Sequence, residues 1–234
     1  MGGSAETLNF LLTTDSTAAV DQLHRIAAPQ VWVCNPGCWQ LQTSSDDEVK
    51  TVFDKDRFIQ DCINALPEGQ GAVREVVKEA VCDSARVMAA LGEPEHAGLT
   101  PIYRSRDLTI INFAWAPCMS LMPHNHQMYS VVGLYSGRED NVFWRRTETT
   151  IEAAGARSLG VGDAAALGRD IIHSVLNPIG KMTCALHVYG GDFFQPEEPR
   201  SEWDHETLME RPWDMDKVRL LFQEADARFK ATRH

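Results

Sequence analysis

Two spacings of apolar residues divide this chain. Between residues 53 and 91 the spacing is helical. Phe53, Phe58, Ile59, Cys62, Ile63 and Leu66 form one stripe, which Pro67-Glu-Gly69 stops. Val73, Val76, Val77, Ala80 and Val81 form a second. Asp83-Ser84 can cap a third helix, Ala85 to Leu91, which ends at Gly92. From about residue 100 the pattern changes to short β-branched and aromatic runs. These are Leu108 to Trp115, Tyr129 to Tyr135, Arg157 to Asp163, Ala164 to Leu167, Ile172 to Val175 and Thr183 to Tyr189. Ser136-Gly137 is a turn signal between two of them. Short strands at close, regular spacing predict a mainly β fold, a sandwich or barrel. An amphipathic stretch, Val218 to Phe229, predicts a closing helix.

Three regions follow. Residues 1–47 hold an expected helix (Thr17 to Ala27), a short apolar run (Val31-Trp-Val33) and a Pro-Gly turn, and receive no function. Residues 48–99 are expected to pack as helices against the barrel. Residues 100–234 hold the barrel and the last helix as one structural unit. At 234 residues, one large domain with an extension fits better than two domains. A net charge of −11 argues against nucleic acid or an anionic membrane as partner. No apolar stretch approaches the ~20 residues of a membrane span, and the first residues lack a secretory pattern. The cysteines stand singly at 62, 82, 118 and 184, with only Cys34 and Cys38 close. That scatter suggests reduced thiols and a cytoplasmic protein. Cys34-Asn-Pro-Gly-Cys38 has no partner pair at ligand spacing and reads as a turn with two incidental thiols.

Three histidines carry the candidate chemistry. His124 and His126 lie in Met122-Pro-His-Asn-His-Gln-Met128, and His173 in Asp170-Ile-Ile-His-Ser-Val-Leu-Asn177. Side chains two apart on a strand share a face. A third His from a neighbouring strand would then complete one side of a metal's coordination sphere. The remaining positions would stay open for substrate, water or O₂. Imidazoles suit iron, zinc, copper and nickel alike, so the three alone do not name the metal.

With these residues in place, the region from about 100 to 195 resembles the cupin double-stranded β-helix barrel. Its first motif, a His-x-His followed by Gly, matches His124, His126 and Gly137. Its second, a Gly-rich turn, then His and Asn four residues on, matches Gly162, Gly168, His173 and Asn177. The Glu that usually follows the second His is absent, because those positions are Ser130 and Val131. A three-His site of this kind resembles the thiol dioxygenases, such as cysteine dioxygenase and mercaptopropionate dioxygenase. His187-Val-Tyr189 is similar to their Ser-x-His-x-Tyr outer triad, with Ala185 in place of the Ser. The position of a Cys-Tyr crosslink falls near Val131, so none is expected.

The resemblance implies Fe(II) as cofactor, with a small thiol and O₂ as reactants and a sulfinic acid as product. His124, His126 and His173 would hold the metal. His187 and Tyr189 would tune the reaction from outside the coordination sphere. Arg is the preferred carboxylate binder. Arg104 lies nearest the clamp position in sequence, with Arg106, Arg138, Arg145 and Arg146 as further candidates. Tyr129 and Met128 would line the pocket, Trp115 would be core, and Gly190-Gly-Asp192 a turn. The alternatives are another metal-dependent cupin enzyme (a non-thiol dioxygenase, isomerase or decarboxylase) or a non-catalytic cupin that binds a small ligand. The thiol and the oligomeric state stay open.

Overall fold

The structure is a computed structural model and describes residues 31–35, 38–42 and 52–231. The chain divides into two compact units, 1–50 and 51–234. In the first, β1 (Val31–Asn35) and β2 (Cys38–Gln42) form an antiparallel pair, with Asn35 opposite Cys38. The apolar run expected at Val31 is therefore a strand. The expected helix from Thr17 to Ala27 and the Pro36-Gly37 turn lie outside the described residues.

The second unit opens with three helices, α1 (Lys55–Ala65), α2 (Gln70–Cys82) and α3 (Ser84–Leu91). Asp54 caps α1 by accepting from the Asp56 and Arg57 amides at 3.0 Å each. Asp83 caps α3 through the Arg86 amide. Gly92 ends α3 at φ 81°, in the left-handed region that favours glycine. Eleven strands and a helix follow: β3 (Gly98–Arg104), β4 (Thr109–Trp115), β5 (Ser120–His124), β6 (Ser130–Ser136), β7 (Arg138–Arg146), β8 (Ile151–Gly160), β9 (Ala164–Leu167), β10 (Ile172–Leu176), β11 (Thr183–Tyr189), β12 (Ser201–Trp203), β13 (Glu210–Pro212) and α4 (Met215–Ala231).

The strand pairing defines the fold. β7 pairs with β8, β6 with β9, β5 with β10 and β4 with β11, all antiparallel. This is one long hairpin whose successive rungs alternate between two sheets. One sheet has the order β13-β12-β5-β10-β7-β8 and the other β3-β4-β11-β6-β9. A hairpin wound in this way is a double-stranded β-helix of the cupin type. Among the described residues no helix is long and apolar enough to cross a membrane.

Burial follows the layers. β11 is buried at all seven positions because both of its faces are covered. Its outward residues Cys184, Leu186 and Val188 join one apolar cluster with Cys62, Val73, Val77 and Val81 of the helices. Burying each such Val fully is worth about 1.5–3 kcal/mol. Burial pushes the Cys62 thiol up to about 12, so it is packing rather than chemistry. α2 lies so close to β6 that a Cβ on Gly133 would collide with Val77. The inward residues of β11 are Thr183, Ala185, His187 and Tyr189, opposite Trp115, Phe113, Ile111 and Thr109 of β4. Trp115 is core, as expected, and stacks on Phe113 at 5.3 Å between centroids.

The motif residues Gly137 and Asn177 are explained by packing. Gly137 sits at φ 78°, and any Cβ there would strike Thr183. Asn177 is fully buried and donates to the backbone oxygens of Trp115, Ala116 and Lys181, while its Oδ1 accepts from Thr183. It pins three chain segments at one end of the barrel and takes no part in the site.

Candidate metal centre

The three histidines converge. His124 is the last residue of β5 and lies directly opposite His173 of β10. His126 is past the end of the strand, so the expected two-residue strand repeat stops after its first member. Gln127, at φ 55°, then turns the chain away. The His126 ring still reaches the pair: its Nε2 lies 3.1 Å from that of His124 and 3.3 Å from that of His173. One ligand atom from each of the three lies within 4.8 Å of the others. Relative exposures are 4%, 2% and 1%, so the cluster is screened from bulk water.

The outer nitrogens show why the inner ones suit a cation. His124 Nδ1 donates to the Met122 carbonyl at 2.9 Å, and His173 Nδ1 donates to Asn141 Oδ1 at 2.7 Å. His126 Nδ1 faces Ser130 Oγ at 3.3 Å. A neutral imidazole that donates from Nδ1 has a bare lone pair on Nε2. Two such lone pairs meet at His126. Burial holds the rings neutral: it pushes His124 down to about 4 and His126 and His173 well below the ordinary histidine value, with mutual repulsion adding to it. Convergent, neutral, outer-bonded imidazoles are the donor set of a mononuclear metal centre. Ser130 and Val131 supply no carboxylate to it.

His187 and Tyr189 face the same interior. His187 Nδ1 lies 3.2 Å from the Tyr189 hydroxyl. The Tyr189 ring stands edge-on to His126 at 5.1 Å between centroids and is covered by Phe193 at 4.5 Å. Burial raises the Tyr189 phenol, and the charge of Arg200 partly offsets this, so the hydroxyl keeps its proton. The structure thus brings five predicted residues together, three as ligand candidates and two beside them.

Arg104 and Tyr129 are not among them. Arg104 is exposed and forms a bidentate pair with Asp192, at 2.9 and 3.1 Å from Nε. Asp192 in turn accepts from the amides of Phe194 and Gln195, which makes Gly190-Gly-Asp192 the turn expected of it. Arg106, Arg138, Arg145 and Arg146 are likewise exposed and paired, with Glu197, Asp140, Glu152 and Glu210. Tyr129 precedes the inward Ser130 and points the other way. Its ring packs over Gly190, where an added Cβ would strike it, and burial raises its hydroxyl. Met128 is buried among the interior apolar residues.

The arginine at the site is Arg200. It follows Pro196-Glu-Glu-Pro199 and is only 7% exposed. Its guanidinium lies between Phe193, at 4.4 Å, and Trp213, at 4.9 Å. Nε and Nη1 are buried without hydrogen-bond partners. Burial pulls this cation down to about 10, and its field reaches Tyr189, His124 and His126. Sequence reasoning missed it because a loop carries no periodicity. No local signal marked it: what brings it to the site is the tertiary pairing of Glu202 in β12, two residues on, with His124. Glu139 and Asn141 of β7 were also missed. Both are buried and point inward, with Asn141 Nδ2 donating to Glu139 Oε1 at 2.9 Å.

No family model matches the chain, and no curated protein does. Among solved structures it is similar to a RmlC-like cupin family protein with a double-stranded beta-helix fold from Methanocaldococcus jannaschii, at 8% identity and TM-score 0.37, covering 44% of this chain and 86% of that one. It is also similar to a conserved protein with a double-stranded beta-helix domain from Klebsiella pneumoniae, at 10% identity and TM-score 0.36, covering 53% and 89%. Oxalate decarboxylase from Bacillus subtilis matches at 17% identity and TM-score 0.34, covering 42% of this chain and 24% of that one. The strand winding, rather than these likenesses, establishes the fold: a double-stranded β-helix with a three-histidine metal-site candidate in its interior.

Proposed function

We propose that the protein is a mononuclear non-haem Fe(II) dioxygenase that converts a small mercapto acid and O₂ to a sulfinic acid. One observation carries the substrate class. Arg200 keeps two buried N–H groups without partners beside three imidazoles that have no carboxylate among them. A buried guanidinium with spare donors is a receptor for a carboxylate, which it can bind through two parallel hydrogen bonds. It disfavours an ammonium at the same place. The acid is therefore preferred to the aminothiol.

The reaction RSH + O₂ → RSO₂H balances without another reactant. An iron held by His124, His126 and His173 would bind the thiol and O₂ together and favour the thiolate. The chain's own residues do the rest. Arg200 holds the carboxylate, Phe193 and Trp213 close the site, and Tyr189 places a neutral hydroxyl beside it. The preference for a thiol over other substrates rests on the likeness of His187 and Tyr189 to the thiol-dioxygenase outer pair.

The test is metal analysis of protein purified without added metal, followed by O₂ uptake on iron-loaded protein. Mercaptopropionate and mercaptosuccinate should be consumed with sulfinate formed, cysteine less readily and cysteamine least. If none of the four draws O₂, the protein is another metal-dependent cupin enzyme or a ligand-binding one.

A further inference from the structure

The barrel interior holds a carboxylate that neither the metal nor the substrate needs. Glu139 of β7 is fully buried, and burying an unpaired carboxylate is costly. Its Oε1 accepts from Asn141 Nδ2 at 2.9 Å. Its Oε2 lies 3.6 Å from His187 Nε2 in the facing sheet. Neither Oε2 nor that Nε2 has a hydrogen-bond partner elsewhere. Two groups buried in this way point to one proton between them. Ala185 is part of the reason. The side chain two residues before His187 carries no hydroxyl to meet it, and Glu139 reaches across the barrel to the same ring instead.

We infer that Glu139 is a positioning residue that sets, through two branches, which nitrogen carries the proton in both His173 and His187. On one branch, Asn141 must turn its amide nitrogen to the carboxylate. Its oxygen then faces His173 Nδ1, at 2.7 Å, and only a donor fits there. His173 Nε2 is left bare toward the other two imidazoles. On the other branch, His187 keeps Nε2–H toward Glu139. Its Nδ1 is then an acceptor, and the Tyr189 hydroxyl donates to it at 3.2 Å. Donors on this branch all point toward Glu139. Tyr189 consequently turns its oxygen lone pairs, not its hydrogen, toward Arg200 and the ligand position. The first branch rests on the metal-site reading of His173, whereas the second does not need a metal.

The test is ¹⁵N NMR of histidine-labelled protein, metal-free and zinc-loaded, with His187 assigned by its loss in His187→Gln. In the native protein His187 should be protonated on Nε2 and bare on Nδ1. Glu139→Gln keeps shape and the Asn141 contact but presents an N–H to His187, so the two His187 nitrogens should exchange states. Zinc affinity should fall by roughly 10-fold as His173 loses its charged anchor. Tyr189→Phe should leave the His187 tautomer unchanged, and this variant decides the question should Glu139→Gln not fold. A native His187 protonated on Nδ1, a tautomer unmoved in Glu139→Gln, or one inverted by Tyr189→Phe each overturns the inference. Native protein that binds no stoichiometric metal would overturn the metal-site reading instead and leave the His187 result standing by itself.

Discussion

Replacing Arg200 by Met should separate the stability of this protein from its use of substrate. The guanidinium is 7% exposed, and burial lowers it from the ordinary arginine value to about 10. That displacement corresponds to roughly 3 kcal/mol of unfavourable burial in the ligand-free protein. Met keeps the stem packed between Phe193 and Trp213 but gives up two cation–π contacts, worth about 0.5–1 kcal/mol each. Arg200→Met should therefore be more stable by about 1–2 kcal/mol, seen as a higher urea midpoint at unchanged slope. The same change removes charge-assisted hydrogen bonds to a carboxylate, worth about 3 kcal/mol, or roughly 100-fold in KM for a mercapto acid. KM for cysteamine, which has no carboxylate, should not rise. The assays are urea unfolding of metal-free protein and O₂ uptake by iron-loaded protein over both substrates. A destabilised variant whose KM for the acid is unchanged would refute the argument, because Arg200 would then be a packing residue with its charge satisfied.

Ala at His124, His126 or His173 should each abolish stoichiometric metal, measured by elemental analysis, and a variant that keeps full metal would exclude that residue as a ligand. Tyr189→Phe should retain iron while turnover falls by roughly 10–100-fold, and equal sulfinate yields from matched preparations would reduce the residue to barrel packing. Arg104→Gln, by contrast, breaks an exposed pair with Asp192 and should leave KM within about twofold, as expected for surface ion pairs. The metal-free protein should lose stability as the pH falls from about 6.5 toward 4. Folded His124 takes up its proton only near 4 whereas the unfolded chain does so near 6.5, so unfolding binds protons across that window. A urea midpoint that stays level or rises there would contradict the neutral, buried cluster.

The sequence by itself determined whatever depends on neighbours along the chain. Helical spacing marked α1 to α3 within a few residues, because one face of each helix must be apolar to lie on the sheet. β-branched runs marked β4, β6 and β11 for the same reason. His-x-His and His-x₃-Asn marked the metal candidates because their spacing is local. Even there, the chain left the strand at His124, and His126 reaches the pair from beyond the strand's end, just before the left-handed Gln127 turns the chain away.

Tertiary structure alone decided which charges were buried. Five arginines were candidates in sequence, and all five found carboxylates at the surface. Arg200, which no spacing singled out, was carried inward because its loop feeds a strand beside His124. Glu139 looked like one more charge in Arg138-Glu-Asp140. Strand alternation turned it inward, and the facing sheet placed His187 opposite it. Periodicity tells which way a side chain points. It does not tell what another strand, about fifty residues on, will put across from it, and the chemistry of this interior is set by those pairings.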